Sequence, residues 1–141
     1  MAEKLPELVR RQRATQATMK RYRDKPFDWK KGATCIHMLR YHLRKMGHKP
    51  EKMPRIRSAI GARRQLDMRG CENVSDLMDK MGLERIGHAC MIQGDVAVLR
   101  SGDGFGSVTI SVGGAKVIGW HDDVAGMSVL QPLEIDGAWR A

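Results

Sequence analysis

Cys35 is the residue in this chain best placed to do chemistry. Thr34 before it is a good helix N-cap, and Ile36, Leu39, Leu43 and Met46 follow at helical spacing. A cysteine that opens a helix lies beside free N–H groups and partial positive charge. Both favour the thiolate, which is the reactive form. A cysteine nucleophile also needs a base within hydrogen-bond reach and a third group to orient that base. The chain offers five histidines. His37 lies two residues past Cys35, a spacing at which helical side chains point apart. His42 is about two turns further on and reads as a packing or surface residue. His48 and His88 fall in expected loops, and His121 follows an expected strand.

The other chemistry is weaker. Cys71 and Cys90 complete an odd count of three cysteines, which argues against a disulfide framework. No C-x-x-C or H-x-x-x-H pair anchors a zinc site, so no metal and no cofactor are expected. Cys71 and Cys90 read as buried free thiols. Gly102-x-Gly104-x-Gly106 resembles part of a phosphate-binding pattern, but strands flank it and no helix follows. It reads as a hairpin loop.

Helices are expected at 4–23, 35–46, 55–69 and 74–82. The first carries a thin apolar stripe of Leu5, Leu8, Val9 and Met19, with Gln12 and Gln16, among arginines. Pro26 stops it, and Phe27-Asp28-Trp29 forms an aromatic anchor in the following loop. The third helix should turn Ile56, Ile60 and Leu66 inward. From residue 86 onward, glycines punctuate β-branched runs. Strands are expected at 95–100, 107–112, 115–120, 128–131 and 134–139. Val108, Ile110 and Val112 alternate with Thr109 and Ser111, the pattern of a half-buried strand. Gly113-Gly114 reads as a hairpin turn. Helices first and a strand meander after them predict an α+β fold. A helical N-terminal half would pack on a C-terminal antiparallel sheet or small barrel. The division expected is a basic helix or arm over 1–24 and one domain over 25–141.

Charge divides the same way. Residues 1–69 carry +14 and residues 70–141 carry −5. A basic half suits an acidic partner such as nucleic acid or an anionic cell-wall polymer. Arg10, Arg11, Arg13, Lys20, Arg21 and Arg23 could track phosphates, though no nucleic-acid motif accompanies them. No apolar run approaches the ~20 residues of a membrane span, and no secretory signal opens the chain.

Two stretches, taken together, resemble a family. One is Pro26-Phe27-Asp28-Trp29-Lys30-Lys31-Gly32-Ala33-Thr34-Cys35 with its helix ending at Gly47. The other is Gln93-Gly94-Asp95-Val96-Ala97-Val98-Leu99, then Ser107 to Gly113 and Val117-Ile118. They look like the papain-like NlpC peptidase fold, and most closely like small NlpC-like proteins of phage tail gene clusters. Those end in an apolar strand, a proline and Ala-Trp-Arg, as Val129-Leu130-Gln131-Pro132 and Ala138-Trp139-Arg140 do here. The likeness covers about residues 20–141. It implies Cys35 as nucleophile, a base histidine at the start of the next strand, and a polar orienter near the end of the strand after that. Ser107 and Gly119-Trp120 occupy those positions, and Thr34 stands where the family has an aspartate. His121 is the candidate substitute base.

The resemblance therefore implies a papain-like NlpC-type domain, without peptidase activity, in a phage tail tip. It would be a structural or assembly component of the virion, made in the host cytoplasm and docked on other tail proteins. Trp139 and Arg140 would lie at an interface. The alternatives are a peptidoglycan-cleaving cysteine peptidase using Cys35 and His121, and a nucleic-acid-binding module.

Overall fold

The computed structural model describes residues 5–120 and 125–141. His121 and its neighbours 122–124 lie outside the described residues, so the candidate base is not placed. The elements are α1 (Glu7–Tyr22), α2 (Cys35–Lys45), α3 (Ala59–Met68), α4 (Val74–Lys80), β1 (Glu84–Ile86), a 3-10 turn at His88–Cys90, β2 (Val96–Leu99), β3 (Ser107–Gly113), β4 (Lys116–Gly119), β5 (Ser128–Leu130) and β6 (Gly137–Arg140). The fold is α+β, as the order of periodic segments implies. β1 and the 3-10 turn lie where the sequence pattern signals nothing regular.

All strand pairs are antiparallel, in the order β1-β6-β2-β3-β4-β5. Among the described residues β1 and β5 do not pair with each other, so the strands form an open sheet and not the small barrel. Across it, Trp139 pairs with Val96, Val96 with Ile110 and Ile110 with Ile118. These fully buried residues, with Val98 and Val108, share one core with Ile36, Met38, Leu39 and Leu43 of α2, Ala62 of α3, and Val74 and Met78 of α4. Met38 and Met78 show where part of the methionine excess goes, since unbranched thioethers fill irregular gaps between helices and a sheet.

The other face of the sheet is buried too. Ala97, Thr109 and Ala138 are almost fully covered, and the Thr109 hydroxyl donates to the Ala97 carbonyl at 2.9 Å. β3 is thus buried on both sides and not half-buried. The polar-looking residues that alternate along it are small ones whose hydroxyls bond to backbone. Gly119 on β4 belongs to this close packing, because a Cβ there would meet Thr109 Cγ2 at 2.8 Å.

Side chains cap α2, α3 and α4. Thr34 accepts from the His37 N–H, Ser58 from Gly61 and Asn73 from Asp76. Each is worth about 1 kcal/mol. The Ser58 cap starts α3 at Ala59, and Ile60 is left 74% exposed and not inward.

α1 is the largest departure. Its buried face is Arg11, Ala14, Thr15, Thr18 and Tyr22, whereas Leu5 and Leu8 are exposed. α1 packs against α2, and Tyr22 at its end joins the main core. The helix ends where Asp24 adopts a φ of 61°. There the Asp24 N–H donates to the Met127 carbonyl and the Met127 N–H to Lys25, clamping the end of α1 to the start of β5. No helix among the described residues is long and apolar enough to cross a membrane.

Candidate functional site

The loop from Phe27 to Thr34 delivers Cys35 to the start of α2. Asp28 and Ala33 exchange both backbone hydrogen bonds at 2.9 Å, and Asp28 Oδ1 accepts from the N–H groups of Lys30 and Lys31. Gly32 closes the turn with a φ of 69°, in the region open to glycine. The loop therefore fixes Thr34 as cap and Cys35 as the first helical residue.

Cys35 is 8% exposed and belongs to the main core cluster. Burial pushes its thiol above the ordinary cysteine range. Backbone hydrogen bonding at Val108, Ile36 and Cys35 itself opposes this more weakly, and Asp103 adds to the rise. The helix terminus thus fails to make a thiolate, because desolvation outweighs the local dipole. The interaction with the Val108 backbone places the start of β3 beside Cys35. The residue at that start is Ser107, which cannot serve as the imidazole base.

Two of the four described histidines are held by hydrogen bonds to other groups. His37 Nδ1 lies 2.7 Å from the Thr34 hydroxyl, and its ring makes an edge contact with Trp29. His42 is fully buried, with Nε2 at 2.8 Å from the Gly94 carbonyl and Nδ1 at 2.9 Å from the Thr18 hydroxyl. A carbonyl only accepts, so Nε2 carries the proton. Burial lowers the His42 pKa to about 4, and the ring is neutral at ordinary pH. His48 and His88 are exposed. At the expected orienter position, the Trp120 indole N–H donates to the Lys25 carbonyl at 2.8 Å.

Asp95, read only as part of a strand-opening motif, is the polar centre of the fold. Oδ1 accepts from Arg11 Nη1 at 2.9 Å and from the Ala141 N–H at 3.2 Å, and Oδ2 accepts from the Ile92 N–H at 2.9 Å. Arg140 Nε lies 3.3 Å from Oδ2, an ion pair whose N–H is not aimed at the oxygen. Arg11 also donates to the Gln93 and Ala141 carbonyls and to Glu7.

The expected basic patch is therefore divided. Arg11 is buried and paired, so it is not a phosphate contact, while Arg10, Arg13, Lys20, Arg21 and Arg23 are exposed. Trp139 is a core residue and not an interface one: it is fully buried, and its indole N–H donates to Asp79 at 2.9 Å. Arg140 is about one-third exposed and also donates to the Cys90 carbonyl. Cys71 is buried as expected, but Cys90 is exposed because it falls in the 3-10 turn outside the sheet. Among the described residues, no group of three His, Cys, Asp or Glu side chains could hold a metal ion.

A family model described as "Domain of unknown function (DUF6950)" matches residues 7–141. The chain belongs to the DUF6950 family. No curated protein matches it. The DUF6950 match takes in α1 together with the Cys35 loop, the Gly94-Asp95 turn and β6. Within that span the Arg11–Asp95 network joins α1, the Gly94-Asp95 turn and the end of β6.

Proposed function

We propose that this DUF6950 chain is a papain-like, NlpC-type domain without peptidase activity, serving as a structural or assembly component of a phage tail tip. The observation that carries the loss of activity is the state of Cys35. Its thiol is buried against β3 with a raised pKa, and serine stands where the base belongs. Catalysis by a cysteine requires thiolate and base together, and loss of the base alone costs orders of magnitude in rate. The order of motifs around Cys35, Gly94-Asp95 and Ala138-Trp139-Arg140 supports the tail assignment by resemblance.

The test is co-expression with phage tail-tip proteins, followed by size-exclusion chromatography. The expected result is a stoichiometric complex with at least one of them. A chain that elutes alone at micromolar concentration in every combination contradicts the assembly role.

A further inference from the structure

A cleft of about 440 Å³ opens between the end of α1, the Phe27–Thr34 loop, the outer face of α2 and the segment before α3. Six cations line it: Arg21, Lys30, Lys31, Arg40, Arg44 and Arg55. No aspartate or glutamate does. Among the described residues, none of the six forms an ion pair with a carboxylate. Burial first, then the neighbouring Arg44 and Arg69, lower the Arg40 pKa, with Glu51 opposing, and Arg40 donates to the Glu51 backbone carbonyl at 2.7 Å. Like charges gathered in a concavity focus a field that an anion relieves.

The walls are flat and apolar. Trp29, Tyr22 and Tyr41 line the cleft with Ile36, Met53 and Ile56. The Arg21 guanidinium lies 4.8 Å from the Tyr41 ring centre, so one cation is already paired with an aromatic face. Cations that follow a backbone, interleaved with rings that accept bases, are how proteins hold single-stranded nucleic acid. The volume falls within the usual range for a ligand site. A duplex is read by an element that projects into its groove, and a membrane surface needs basic groups that project outward. Here the charges line a hollow.

We infer that this cleft binds single-stranded nucleic acid, with phosphates on Arg40, Arg44 and Lys30–Lys31 and a base against Trp29. The site is separate from Cys35 and does not depend on the tail-tip reading. It also differs from the basic stripe along α1, to which it owes only Arg21.

The test is fluorescence anisotropy of a labelled oligo-dT 12-mer with the full chain at 50 mM salt. Micromolar binding is expected, with log K falling by about 0.7 per phosphate contact for each tenfold rise in salt. The pairs Arg40→Gln with Arg44→Gln, and Lys30→Gln with Lys31→Gln, should each weaken binding at least tenfold while melting like the parent. Arg64→Gln, exposed on α3 outside the cleft, should change it less than twofold. Saturation should quench tryptophan fluorescence in the parent but not in Trp29→Phe. The inference is overturned by an absence of binding, by equal loss in Arg64→Gln, by duplex of the same length binding as tightly, or by inorganic polyphosphate binding as tightly as the oligonucleotide.

Discussion

Arg11 of α1 and Asp95, just ahead of β2, form an ion pair at 2.9 Å with both side chains buried. The pair joins residues 84 positions apart. Through the further bonds of Asp95 to Ala141 and Ile92, it locks the first helix and the last residue onto the turn that opens the sheet. Breaking such a pair from one side leaves an uncompensated buried charge, at a cost of about 3–5 kcal/mol. Asp95→Asn should therefore lower stability by about that much and drop the melting temperature by roughly 10 °C or more. Arg11→Met should do the same. The two together should cost less than the sum, because neither leaves a partner charge stranded. Denaturant melts of the four chains check this. Strict additivity would show that the pair is not coupled.

His42 makes the fold acid-sensitive. Its pKa falls from 6.5 to about 4 on folding, chiefly through burial, so below pH 6.5 the unfolded chain binds a proton that the folded chain does not. Stability is then full above pH 6.5 and declines as pH falls toward 4, where the loss levels off at roughly 3 kcal/mol. His42→Gln keeps a donor for the Gly94 carbonyl and removes the titration. Urea melts between pH 4 and 7 should show a steep slope in the parent and a shallower one in the variant. Equal slopes would exclude His42 as the source.

Gly94 has a φ of 93°, and a Cβ there would approach Met46 Cε, Thr15 Oγ1 and Arg11 Nη1 at 3.3–3.5 Å. Both the backbone region and the crowding oppose a side chain. Gly94→Ala should cost about 2 kcal/mol. Gly47, also left-handed with a φ of 96° but with open space beside it, should tolerate alanine at a smaller cost. Thermal melts that rank the two the other way would mean that backbone strain, not the contact with Arg11 and Thr15, governs position 94.

The helices and strands were legible where period and punctuation agree. Thr34 caps α2, and Val108 to Ile118 pair across Gly113-Gly114 as the alternation implies, whereas the Ser58 cap starts α3 four residues later than expected. The buried face of α1 was not legible, because it is made of Arg11, Thr15 and Thr18. These residues read as solvent-facing until their long-range partners, Asp95 and His42, are known. Thr109 misled for the same reason: its hydroxyl is satisfied by the Ala97 carbonyl and costs nothing to bury. Of the candidate site, the place of Cys35 at a helix start beside β3 was readable. Its deep burial was not, since that depends on packing among Tyr22, Trp120 and the sheet. The cationic cleft draws on four segments between residues 21 and 56, and only the Arg40/Arg44 spacing hints at a shared face.

The most direct test of a silent cysteine is the pH dependence of Cys35 alkylation in a Cys90→Ser background, followed by peptide mass spectrometry on the native chain. Cys90 must be removed because it is exposed. The account predicts that iodoacetamide leaves Cys35 unmodified between pH 6 and 8 while the chain is folded and modifies it fully in denaturant. Rapid native alkylation with a midpoint below pH 7, abolished by His121→Ala, would instead reveal an activated thiolate with a working base and contradict the central claim.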